Sequence, residues 1–270
     1  MEDRLTHIPS ERGDLYSHLL IPQNASHCVV VCSSILAEFE ANYHRERLLA
    51  RALAAAGVAV VRFHYAGEGN SFGTRQSMTL KSMSADGRAV VSHISDFGYQ
   101  KLAYVGTRLG CFVAGDLAGA HPNAPLVFWE PMENARDLIR DADRKRRISQ
   151  LRHTTQSPSS DLYREEQRLD GAIDLFGYDV YPPLLDSLAA CAKLTDLITN
   201  SGRPILIGRF GPAKDKDPIT EQLSERGFSV EYAEFDVSEA WWYQSEHEPE
   251  SGELITSTTG WLCAALRASS

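Results

Sequence analysis

Fully apolar runs and helix-spaced apolar positions alternate along this chain, and the alternation predicts its elements. Residues 15–21 read as an early strand that ends at Pro22. Cys28-Val29-Val30-Val31-Cys32 is apolar throughout, the pattern of a parallel strand buried on both faces. Residues 48–56 are rich in alanine and leucine and stop at Gly57, a helix-end signal. A buried strand over 58–63 and a loop over 66–71 come next. Over 81–97, Met83, Val90, Val91 and Ile94 recur at helical spacing. Short strands are predicted at 102–105 and 126–129, with a small-residue helix at 111–118 between them. From 132 to 200 the pattern is helical and charged, broken at Ser157-Pro158 and Pro182-Pro183. Strands return at 204–208 and 228–235. A last helix over 253–266 places Leu254, Trp261, Leu262, Ala265 and Leu266 on one face, with Ser251 as N-cap. Strands alternating with helices predict an α/β fold with a mostly parallel central sheet and helices on both faces. Residues 1–270 read as one domain, with 132–202 inserted as a helical lid.

One stretch narrows the picture. Val105-Gly106-Thr107-Arg108-Leu109-Gly110 joins a predicted strand to a predicted helix through a glycine-framed turn. That is the context of a G-x-S-x-G nucleophile elbow, in which glycines allow a turn sharp enough to raise one side chain at the sheet edge. The middle position holds Arg108 in place of serine. A guanidinium is permanently charged, has only donors, and cannot be a nucleophile.

Composition closes off several classes. The chain has 27 Lys+Arg against 36 Asp+Glu, a net −9, which disfavours nucleic acid as the main partner. No apolar run is long enough to cross a membrane, and the first residues lack a signal-peptide profile. Five cysteines without a CxxC pair fit a reducing cytoplasm and call for no metal. Cys28, Cys32 and Cys111 read as core thiols. Gly67-Glu68-Gly69 does not open a helix and reads as a loop, so no cofactor is expected.

With these residues in view, the chain resembles the α/β-hydrolase superfamily. More narrowly, it resembles exosortase-associated hydrolase-like and serine-aminopeptidase-like proteins. The likeness rests on 29–73, including Arg62-Phe63-His64-Tyr65-Ala66-Gly67-Glu68-Gly69, and on Gly106-Thr107-Arg108-Leu109-Gly110. Phe128-Trp129-Glu130-Pro131 and Phe176-Gly177-Tyr178 also carry it. The resemblance implies a central sheet of the α/β-hydrolase type. It also implies a catalytic acid after the strand ending near Gly208 and a histidine after the strand ending near Phe235. Asp215 and Asp217 lie near the first place, where Asp217-Pro218 reads as an N-cap followed by proline, and Arg209 stands at the strand end. The loop at the second place offers only His247, read as a surface residue.

Part of an oxyanion hole is expected from the Leu109 amide and an amide near Ser33 or Ser34. Arg108 beside these amides would suit a carboxylate, phosphate or sulfate; the competing reading is a structural ion pair with Glu38, Glu40 or Glu130. No base is evident for Ser33 or Ser34. Trp241 and Trp242 either wall the pocket or pack the lid. The basic run Arg140, Arg144, Lys145, Arg146, Arg147 and Arg152 is either a solvated helix face or a docking surface for an acidic carrier protein or partner subunit.

Three functional expectations follow. In the first, the chain is an enzyme of small-molecule biosynthesis without a serine nucleophile. Arg108 and the oxyanion amides hold an anionic group of the substrate, and Glu38, Glu130 or Asp215 takes a proton in an elimination, cyclisation or transfer. In the second, catalysis is lost and the fold serves as a binding or scaffold subunit. In the third, the chain is a hydrolase with a displaced nucleophile.

Overall fold

Val29 and Val31 face one side of a sheet, Val30 and Cys32 the other, and all four are buried. Two-sided burial is the reason the run 28–32 is unbroken by polar residues. The computed structural model describes residues 1–153, 170–175, 177–199, 202–211, 217–237 and 251–268, with the side chains of 146–153 outside that description.

The elements run β1 (Glu2–Ile8), β2 (Leu15–Ile21), β3 (His27–Cys32), α1 (Ala37–Ala55), β4 (Ala59–Phe63), α2 (Leu80–Ser95) and β5 (Lys101–Thr107). They continue with α3 (Gly110–Ala118), β6 (Leu126–Trp129), α4 (Asp137–His153), β7 (Ile173–Leu175), β8 (Tyr178–Val180), α5 (Pro182–Ala190) and α6 (Leu194–Leu197). The chain returns to the sheet with β9 (Pro204–Phe210), α7 (Pro218–Glu225), β10 (Ser229–Phe235) and α8 (Gly252–Ala268).

Eight strands form one sheet in the order β1-β2-β4-β3-β5-β6-β9-β10. The β1–β2 and β2–β4 pairs are antiparallel, and every other pair is parallel. The mostly parallel sheet is as expected. On one face, Leu49 and Leu53 of α1 and Leu254 and Leu262 of α8 cover Val29, Val31, Val60 and Val127. On the other, Met83 and Val90 of α2, Phe112 and Leu117 of α3 and Leu223 of α7 cover Val30, Val61, Tyr104 and Phe128.

Several elements depart from the hydrophobic pattern for definable reasons. β1 is an edge strand whose residues are largely exposed, so it has no apolar signature. The helix read over 48–56 begins eleven residues earlier, at Ala37. Its first half buries Glu38, Asn42, Arg45 and Glu46, which a polarity count treats as surface. Among the described residues, the stretch between β6 and β9 holds α4, α5 and α6 and also the β7–β8 hairpin, paired Ile173↔Val180 to Leu175↔Tyr178.

Candidate functional site

The elbow forms as its glycines require. β5 ends beside β3, with Cys32 opposite Gly106. A Cβ on Gly110 would lie 1.9 Å from the Cys32 carbonyl oxygen, and one on Gly106 would lie 2.5 Å from Cα of Cys111. No side chain fits in either place, so the turn can close tightly against the end of β3. Between them Arg108 adopts φ +52°, a left-handed conformation uncommon outside glycine. Its amide donates to the Trp129 carbonyl at 2.9 Å, and its carbonyl accepts from the Cys111 amide at 3.1 Å as α3 begins.

Arg108 is 5% exposed, and its guanidinium meets two carboxylates. Nε and Nη2 both donate to Glu38 Oε1, at 3.0 and 2.9 Å. Nη2 also donates to Asp141 Oδ2 of α4, at 2.7 Å. Burial pulls the guanidinium's pKa down, but Glu38 and then Asp141 outweigh it and leave the net shift upward, so the group stays charged. Of the three acids considered as partners, Glu38 is the one Arg108 holds. Exposed Glu40 instead accepts from the Tyr178 hydroxyl, and Glu130 lies in a second cluster.

Ser33 and Ser34 do have carboxylates at hand, unlike the expectation from sequence. Ser34 Oγ donates to Glu38 Oε2 at 2.8 Å, and Ser33 Oγ donates to Glu46 Oε2 at 2.5 Å. Neither carboxylate is a free base. Glu38 is committed to Arg108. Glu46 is wholly buried; burial pushes its carboxyl up, against the pull of Arg62 and Ser33. Sequence reasoning missed this because the helix was read only from residue 48, which left Glu38 and Glu46 on no element that could aim them at the serines. Leu109 is fully buried at the start of α3.

A second ion cluster occupies the end of β9. Arg209 Nε and Nη2 both donate to Asp217 Oδ2, and Nη1 donates to the Pro131 carbonyl at 2.6 Å. Glu130, at φ +48°, accepts the Phe210 amide and lies 3.8 Å from Arg209. Asp217 also caps α7, accepting the Thr220 amide at 2.8 Å ahead of Pro218, as its sequence context predicted. The carboxylate at this strand end is thus held by an arginine and a helix terminus. Asp215, Trp241, Trp242 and His247 lie outside the described residues.

Asp141, which accepts from Arg108, is a site residue that sequence reasoning did not single out. Its signal was the spacing Asp137, Asp141, which puts two acids on one face of an otherwise arginine-rich helix. A cleft of about 620 Å³ opens between α4 and α5, lined by Arg136, Arg140, Ile139, Leu185 and Leu188 among others; Arg108 and Ser34 do not line it. Among the described residues, no cluster of His, Cys, Asp or Glu could hold a metal ion. No described helix is long and apolar enough to cross a membrane. Cys28, Cys32 and Cys111 are buried free thiols whose pKa values burial raises, so they are protonated and packed as core.

This geometry defines the α/β-hydrolase fold. The chain is similar to Est1E of Butyrivibrio proteoclasticus, solved with ferulic acid bound, at 14% identity over 97% of this chain and 99% of that one, with a TM-score of 0.67. It is similar to proline iminopeptidase of Mycobacterium smegmatis at 14% identity over 99% and 100%, with a TM-score of 0.62. A hydrolase of Agrobacterium vitis aligns at 16% identity over 98% of each chain, with a TM-score of 0.61. At such identities the likeness is one of fold. No protein-family model matches the chain, and no curated protein matches it.

Proposed function

We propose that this chain uses the α/β-hydrolase fold for binding in place of serine acyl transfer, and that its ligand is a small molecule with an anionic group held at the elbow. One observation carries the reading. At the position where this fold raises a nucleophile, a buried guanidinium stands with a carboxylate seated on it. A guanidinium–carboxylate contact is a recognition geometry, and it supplies neither a nucleophile nor a proton shuttle.

The turnover reading, an elimination, cyclisation or transfer, needs a base. Of the three candidate bases, Glu38 is engaged by Arg108 and Ser34 and Glu130 by the Phe210 amide and Arg209, while Asp215 lies outside the described residues. Binding is the activity that uses these groups as they stand. The test is a fluorophosphonate probe alongside p-nitrophenyl ester hydrolysis. The expected result is an unlabelled protein with ester hydrolysis at background. Stoichiometric labelling of Ser33 or Ser34 would restore the displaced-nucleophile reading.

α4 supports a second, compatible role. Its Arg144 and the preceding Arg136 are exposed on a chain of net charge −9, a local positive surface suited to an acidic partner. Charge reversal at both should slow association and weaken its salt dependence.

A further inference from the structure

Two carboxylates share one guanidinium at the elbow, and they are not equivalent. Glu38 comes from the first turn of α1, with its side chain 6% exposed and its second oxygen occupied by Ser34. Asp141 comes from α4, with its side chain 28% exposed. Its other oxygen lies 3.7 Å from Nη2 of Arg140, whose side chain is mostly in solvent. Asp141 therefore stands between a buried cation and a surface one. Glu38 alone neutralises Arg108, and Arg140 stands beside Asp141, so Asp141 is not needed to balance the buried charge.

Resting on the binding reading above, we infer that Asp141 is an internal stand-in for a ligand carboxylate: a small molecule with a terminal carboxylate replaces it on Arg108 and so frees α4 from the elbow. The exchange is balanced. Arg108 trades one charge-assisted contact for another of the same geometry. Asp141, on leaving, keeps Arg140 and gains solvent. α3 begins two residues beyond Arg108, and the positive end of its dipole favours an anion there. The internal carboxylate acts as a competitor, so the unaltered protein should bind a simple carboxylate weakly, in proportion to the fraction of molecules in which Asp141 is off Arg108.

The test titrates sodium acetate into the wild type, Asp141→Ala and Asp141→Asn, with ionic strength held constant by sodium chloride, and reads the thermal midpoint. A bound ligand raises that midpoint saturably. The expected result is a saturable rise in both variants, with apparent acetate affinity at least about tenfold tighter than in the wild type. Asp141→Asn keeps the shape without the charge and serves if the alanine variant does not fold. Inorganic phosphate in parallel should be the weaker ligand; phosphate preferred over acetate overturns the carboxylate assignment. Equal acetate response in all three proteins overturns the displacement and leaves the binding reading standing. No saturable response in any of them removes the anion-binding reading as well.

Discussion

Arg108 gives two of its nitrogens to a single oxygen of Glu38, at 3.0 and 2.9 Å, and both side chains are buried. Removing one partner of such a pair strands the other charge away from water, at about 3–5 kcal/mol. Arg108→Met should therefore lose stability on that scale in urea denaturation. The double variant Arg108→Met, Glu38→Leu should recover most of the loss, and Arg108→Lys should fall between, keeping the charge without the fork. An Arg108→Met protein as stable as the wild type would show that the pair does not hold the elbow.

His64 makes stability depend on acid. Its Nδ1 accepts the Asn70 amide at 3.0 Å, so the neutral ring carries its proton on Nε2. Burial, with Arg62 nearby, lowers its pKa to about 4. The unfolded chain titrates near 6.5, so below that value it binds a proton the folded chain refuses. Stability is fully present above about pH 6.5 and falls as pH drops toward about 4, by on the order of 3 kcal/mol in all. His64→Gln should flatten the pH–stability curve over that window; an unchanged slope would assign the acid sensitivity elsewhere.

Glu46 acts in the opposite sense. Its carboxyl is raised above the ordinary value by burial, so the folded chain holds its proton more tightly than the unfolded one. The stability it contributes is present at low pH and is lost as pH rises through the folded value. Glu46→Gln removes that loss. The difference in melting midpoint, variant minus wild type, should grow more positive as pH is raised from 5 to 8. A difference constant across that range would contradict a shifted Glu46.

Two glycines should respond oppositely to alanine. Gly110 has no room for a methyl group against the Cys32 carbonyl, and Gly110→Ala should yield little folded protein in a thermal melt. Gly260 lies exposed inside α8 with nothing within 4 Å of the added carbon, so Gly260→Ala should stabilise by about 1 kcal/mol. A neutral Gly110→Ala would mean that the elbow relaxes away from β3.

The parts of the fold legible in the sequence are those where burial is apolar. The run 28–32, the strand at 58–63 and the elbow were readable because valine and glycine have few other uses in such patterns. β1 was not, because an exposed edge strand buries little to pattern. The first half of α1 was hidden because Glu38, Arg45 and Glu46 are charged and nevertheless buried. Of the site, Arg108 was legible as a broken motif and Asp217 as a cap. The grip of Arg209 on Asp217 and the docking of Asp141 on Arg108 were not, since a sequence gives no distance between side chains on different elements, whether 8 residues apart or 33.

The left-handed turn at Arg108 lies between Gly106 and Gly110, whose missing side chains let it close against the end of β3. Position 108 is therefore a socket that accepts different occupants without rebuilding the walls. A serine at position 108 would give the turn the outline of a G-x-S-x-G elbow. It would also leave Glu38 and Asp141 facing each other without their cation, and Asp217 still in the hands of Arg209. One substitution supplies the shape of such an elbow and none of the chemistry, so an Arg108→Ser protein should be less stable than the wild type and still without esterase activity.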